Sequence, residues 1–169
     1  YKSGSSIAAP AVTGGVLLVN QAYKQVHGEL PTPAAVRAVM YHTADDIMSE
    51  GPDYKSGWGG ADIKGAVDKV KTDGSTNVVA EHTLETGETD RFTVEDTQKI
   101  TLAWTDPAGK ELVNDLELVV KDQNGNRYQT WKLDPSNPSS PATKGEDNLN
   151  TVEQVEVPES AGKLSVTVE

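Results

Sequence analysis

Near the start of the chain, Ser3-Gly4-Ser5-Ser6-Ile7-Ala8-Ala9-Pro10-Ala11-Val12-Thr13-Gly14 sets serines directly ahead of a long apolar segment. A serine in the first turn of a buried helix has two advantages as a nucleophile. Its own backbone N–H has no intrahelical acceptor, and the helix dipole favours an oxyanion forming beside it. That combination suits acyl transfer. The same residues also serve as helix caps, a hydroxyl of Ser5 or Ser6 accepting from the first turn. A base is harder to find. His27 falls at a helix end, His42 late in a second helix and His82 in the second half of the chain, and each reads more simply as a surface or boundary residue. One local triad, Ser6 with His42 and Asp45, would supply a base and its orienting carboxylate. The chain has no cysteine, which excludes a disulfide framework, thiolate-held zinc and a thiol nucleophile.

Carboxylates give the second set of chemical residues. Asp106, Asp115, Glu117, Asp122, Asp134, Asp147 and Glu153 fall around strand ends and loops of the second half. Calcium takes about 6–8 oxygens from such groups, which makes Asp115 and Asp147 candidate ligands of a structural calcium. No stretch has the spacing of a D-x-D-x-D-G loop, so solvated surface charge is the stronger reading. Of the tryptophans, Trp104 shares the apolar face of its strand and Trp58 sits in a glycine turn. Trp131 stays open to stacking against a sugar.

These residues need elements to position them. The chain has 169 residues, enough for one domain or one domain with part of another. Fifteen Lys and Arg against 26 Asp and Glu give a net charge of -11, which repels nucleic-acid backbones and anionic lipid surfaces. No apolar stretch approaches the ~20 residues of a transmembrane helix, and no signal-like n-region opens the chain, so any export signal is expected upstream.

From residue 1 to about 72 the apolar period is helical. Residues 6 to 26 carry apolar side chains around the whole circumference, so this helix is expected to be buried on all sides, with Pro10 near its first turn and His27-Gly28 at its end. Thr32-Pro33 announces a second helix reaching about Ala44, with Val36, Val39, Met40 and Thr43 on one face. Asp62 caps a third that carries Ile63, Ala66, Val67 and Val70, and a boundary follows near Thr72-Asp73-Gly74-Ser75. Beyond it the period is two. Ile100, Leu102 and Trp104, then Leu116, Leu118 and Val120, then Leu164, Val166 and Val168 each line one face of a strand. Asn124-Gly125 demands a tight hairpin turn with positive φ. About seven or eight short strands over roughly 95 residues indicate an antiparallel sandwich or jelly roll, and Asp134 to Asn150 reads as a long surface loop.

The string SGSSIAAPAVTG resembles the S-G-T-S-M-A-x-P-x-V-x-G block around the nucleophile of subtilisin-like serine proteases, with Ser5 for Thr and Ile7 for Met. Leu30 to Met40 is similar to the helix that follows in that family, and Gly57-Trp58-Gly59 with Asp62 and Ala66 to the segment that closes its catalytic domain. Ile100 to Pro107, Leu112 to Val120, Asn124-Gly125 and Asp147 to Val155 resemble the C-terminal β-barrel domain of some large bacterial subtilases, similar in plan to the P domain of proprotein convertases.

The resemblance implies an α+β chain: the last three helices of a subtilisin-like α/β catalytic domain over 1–74, then a β-sandwich or jelly-roll domain over 75–169. It implies Ser6 as catalytic nucleophile of a secreted serine endopeptidase acting on peptide or protein substrates without a cofactor. In the family the triad Asp and His and the oxyanion Asn lie upstream of the serine block, and this chain holds none of them. It is therefore expected to be inactive alone, to need the upstream part of the catalytic domain as its partner, and otherwise to self-associate through exposed apolar surface. A stabilising or substrate-binding β module is the competing class, and a carbohydrate-binding accessory domain a third.

Overall fold

The computed structural model describes residues 3–76, 78–109 and 111–169; Tyr1 and Lys2, where the expected first domain begins, lie outside the described residues. The chain forms two compact units, Tyr1–Asp45 with Gly60–Glu81, and Asp46–Gly59 with His82–Glu169. The polypeptide therefore passes from one unit to the other three times.

The first unit contains α1 (Ser5–His27), α2 (Pro33–His42) and α3 (Ile63–Thr76). Local chemistry accounts for their ends. Gly28 takes the left-handed conformation that closes α1, its N–H bonded to the Lys24 carbonyl at 2.9 Å. The Thr32 hydroxyl accepts from Ala35 N–H at 3.1 Å, with Pro33 in the first helical position. Asp62 accepts from Gly65 N–H at 2.8 Å at the start of α3. The core joins Val19, Ala22 and Tyr23 of α1 to Val39 and Met40 of α2 and to Ala66 and Val70 of α3. At Gly15 a Cβ would stand 2.2 Å from Ile63 Cδ1, so α1 and α3 meet where only glycine leaves room.

Two expectations change here. The helix at 5–27 is buried along one face only: Gly15, Val19, Ala22 and Tyr23 are covered, whereas Ile7, Val12, Leu17 and Leu18 are exposed. Within its unit α1 packs chiefly on α3, which covers one side of the helix. The boundary read at Thr72–Ser75 is instead helix, because tertiary packing overrides the turn-forming residues. Asp73 is buried with its Oδ2 2.8 Å from His27 Nε2, and Gly74 lies so close to Val26 that a Cβ would stand 2.9 Å from Cγ1.

In the second unit eight strands appear among the described residues, and every strand pairing is antiparallel. β1 (Asp90–Val94), β8 (Leu164–Val168), β3 (Leu118–Asp122) and β4 (Arg127–Tyr128) form one sheet in that order, with Phe92 opposite Val166 and Val166 opposite Val120. β2 (Lys99–Ala103) pairs with β7 (Val152–Glu156), Ile100 opposite Val155. Leu118, Val120, Leu164, Val166 and Val168 from the first sheet and Val155 from the second share one core, flanked by Ile100 and Leu102. Alternation along the strands thus selects the buried face.

The Asn124-Gly125 turn differs from a two-residue hairpin. Gly125 has φ 83, but Asp96 is the sole non-glycine residue with positive φ among the described residues, so Asn124 is ordinary. The Asp122 carboxylate accepts the N–H groups of Asn124 and Asn126 at 2.8 and 2.9 Å, which stabilises a three-residue loop with glycine in the left-handed position. Within the expected loop 134–150, β6 (Thr143–Lys144) pairs with β5 (Trp131–Lys132).

Candidate active site

Ser6 is the second residue of α1 and is exposed. Neither Ser5 nor Ser6 caps the helix. Gly4 holds the N-cap position without a side-chain bond, and its carbonyl accepts from Ile7 and Ala8 N–H at 2.9 and 3.1 Å. The Ser6 N–H is therefore among the first-turn donors without an intrahelical acceptor. No acidic side chain occupies that turn, so the positive end of the dipole favours an anion formed beside Ser6. Pro10, four residues on, has no N–H to offer the Ser6 carbonyl. The first turn is thus rich in free donors and poor in negative charge, as stabilisation of an oxyanion requires.

Each of the three histidines has its own setting. His27 lies at the far end of the same helix, about 30 Å away at 1.5 Å per residue. It is held there by Asp73 and by stacking on Tyr23, ring centroids 4.1 Å apart. His82 Nδ1 pairs with Asp90 Oδ2 at 2.9 Å, and its ring meets the edge of Phe92. His42 ends α2, and Asp45 is engaged through its backbone, paired with Gly60.

A network invisible in the sequence secures the chain leaving α3. Asp73 accepts Val79 N–H at 2.7 Å, and Glu81 accepts the Tyr23 hydroxyl at 2.8 Å and Thr32 N–H at 3.4 Å. Burial and the bond to Glu81 raise the Tyr23 hydroxyl well above its usual range. Burial disfavours the Glu81 charge, but the bonds from Thr32 and Tyr23 outweigh it and hold the carboxyl low.

Several acidic side chains of the β unit organise loops. Asp106 gathers Val113 N–H, Asn114 N–H and Asn114 Nδ2 at 2.8–2.9 Å; Asp134 holds Ser136. Asp147, buried, accepts Leu149 N–H at 3.0 Å and Asn150 Nδ2 at 2.7 Å. Asp115 is raised by partial desolvation and by the charge of Asp147. These two carboxylates, one with both oxygens engaged, do not themselves make the oxygen-rich shell calcium takes. Among the described residues no group of three metal-ligating side chains is placed to hold an ion.

Glu153 differs from these loop carboxylates. It lies in β7, 2% exposed, with Oε2 accepting Leu118 N–H at 2.6 Å. Burial pushes its carboxyl up to about 7; the Leu118 bond opposes this, and the charges of Asp147, Glu117 and Asp115 add to it.

Trp131 is also covered. It is 8% exposed, with Gly51 against its ring and Lys144 Nζ 3.3 Å from a ring centroid, so it offers no open stacking platform. Trp104 is buried and donates Nε1–H to the Asn114 carbonyl at 2.9 Å. No helix among the described residues is long and apolar enough to cross a membrane.

Comparison with known proteins bears on the serine end of the chain. Residues 1–59 match the model of the subtilase family. The "Serine protease/ABC transporter B family protein tagA" of Dictyostelium discoideum is 28% identical over 142 residues, which cover 69% of this chain and 8% of that protein. The chain therefore spans less than a tenth of the length of this relative. Both matches support a subtilase relationship, and the segment carrying Ser6 lies inside the family match.

Proposed function

We propose that the chain is the nucleophile-bearing end of a subtilisin-like serine endopeptidase joined to a β-sandwich unit resembling a P domain, and that Ser6 is its nucleophile. The observation carrying this reading is Ser6 itself, exposed in an uncapped, acid-free first turn of a 23-residue helix within the segment that matches subtilases. In the intact secreted enzyme Ser6 Oγ adds to a peptide carbonyl carbon as its proton passes to a histidine upstream. The Ser6 N–H and an upstream Asn amide donate to the resulting oxyanion. Collapse expels the amine, which takes the proton from the histidine, and water then hydrolyses the acyl ester and returns Ser6 to its hydroxyl form. No cofactor enters the chemistry.

The chain alone lacks the base and is proposed to be inert. Ser6→Ala in the full-length enzyme should lower the rate at least about a thousandfold, since only binding and oxyanion stabilisation remain. Activity within tenfold of wild type refutes the assignment. A fluorophosphonate probe should leave Ser6 unlabelled in the purified 169-residue chain, and stoichiometric labelling would show a base within it.

For the β unit we propose a stabilising role. The covering of Trp131 favours it over glycan binding, which requires an open aromatic face.

A further inference from the structure

Residues 46–59 belong to the family-matching segment, yet they form part of the β unit. Their feet are closed by paired backbone bonds between Asp45 and Gly60, at 2.9 and 2.8 Å, so the segment is a loop whose two flanking residues belong to the helical unit. Two carboxylates shape it. Asp46 Oδ2 accepts Gly51 N–H at 3.2 Å, and Asp53 accepts Lys55 N–H, Ser56 N–H and the Ser56 hydroxyl while its backbone pairs with Gly57. Between these turns Gly51 and Pro52 are buried.

Gly51 lies against Trp131. A Cβ on Gly51 would stand 2.6–2.9 Å from three atoms of the indole, so the backbone lies on the ring at a distance no side chain permits. The ring is fixed in return. Its N–H donates to Glu156 Oε2 at 3.2 Å, Lys144 sits over it, and Glu156 also pairs with Lys99 at 3.3 Å. The Lys144 ammonium is disfavoured by its burial and sustained by the charges of Glu156 and of Glu50, the latter on the loop itself. Shape and charge both match the loop to this place.

We propose that the Trp131 surface is an internal docking site whose partner is the Gly51-Pro52 loop, and that through it the β unit holds residues 46–59. The proposal does not depend on Ser6 being a nucleophile. It makes residues 46–59 a structural part of the β unit, so that a β piece starting at residue 75 leaves Trp131 uncovered.

The test uses the full chain and hydrogen exchange at residues 46–51. Gly51 and Gly57 both have positive φ, 73 and 63, but nothing lies within 4 Å of a Cβ at Gly57. Alanine at either position thus brings comparable backbone strain, and only Gly51→Ala collides with Trp131. Gly51→Ala should speed exchange of these amides at least about tenfold relative to Gly57→Ala and shift tryptophan emission to the red, with β3 and β8 amides still protected. Trp131→Leu should release the loop to the same extent with the loop sequence intact. Equal exchange in the two glycine variants overturns the proposal, as does a wild-type rate at residues 46–51 in a folded Trp131→Leu chain. Should Trp131→Leu strip protection from β3 and β8, the glycine pair alone decides.

Discussion

Replacing Glu153 by glutamine should stabilise the β unit at neutral and alkaline pH. In the unfolded chain this carboxyl titrates near 4.5; in the fold, burial raises it to about 7. Between these values the folded state still holds a proton that the unfolded chain has released. Stability therefore falls as pH rises: the contribution is complete below 4.5 and gone once pH has passed 7. At about 1.4 kcal/mol per pH unit the whole effect is about 3 kcal/mol. The oxygen of the introduced amide can still accept from Leu118 N–H, and its N–H groups face acidic neighbours in place of a like charge. Urea and thermal unfolding at pH about 4.5, 6 and 8, in a buffer containing chelator so that only protons compete for the carboxylates, should show wild type weakening across the series. The Glu153→Gln variant should match it at the lowest pH and exceed it at the highest by up to about 3 kcal/mol, on the order of 10 °C in Tm for a unit of this size. A wild type whose stability is flat or rises between pH about 5 and 7, or a variant weaker than wild type at the alkaline end, refutes the reasoning.

Other perturbations probe separate parts of the chain. Thr32→Ala removes the hydroxyl bonded to Ala35 N–H and should cost the helical unit about 1 kcal/mol in urea unfolding, with Thr32→Ser restoring it. Leu164, fully buried in the β core, should cost about 2–5 kcal/mol when cut back to Ala, seen as a lower urea midpoint with the helical unit unchanged. Light scattering should show the purified chain self-associating through Ile7, Val12, Leu17 and Leu18, and Leu17→Glu with Leu18→Glu should return it toward a monomer. A monodisperse wild-type monomer would count against that.

The helices were legible because their ends are set by nearest neighbours: Thr32-Pro33, Asp62 and Gly28 act within one turn of themselves. Strands β2, β3 and β8 were legible because alternate residues of each face a common core, which leaves a period of two in the sequence. What stayed hidden depends on partners distant in the chain. Thr72-Asp73-Gly74 has the composition of a turn, and it is helical because Asp73 meets His27 and Gly74 meets Val26. Glu153 looked like one more strand-end carboxylate, since Val-Glu-Gln-Val-Glu gives no hint that both faces of the strand are covered. At the serine end the residue types were readable, but it takes the fold to show that Gly4, not Ser5 or Ser6, occupies the cap and that Ser6 is exposed. Residues 46–59 carry no periodicity, so nothing local assigns them to the strands beyond residue 82.

The contact between Gly51 and Trp131 also imposes an order on biosynthesis. The two residues are roughly 80 positions apart, so at about 5–20 residues per second the ribosome delivers the tryptophan roughly 4–16 s after the glycine. During that interval the helices can form around their own caps, while the loop between Asp45 and Gly60 has no surface to receive it. Slow codons or a chaperone acting between residues 60 and 131 would lengthen the exposure of a glycine-proline loop flanked by Ile47, Met48 and Tyr54, all exposed even in the finished fold. Nascent chains stalled before residue 131 should therefore be cut in this loop by added protease, and chains in which residues 1–169 have emerged and folded should resist.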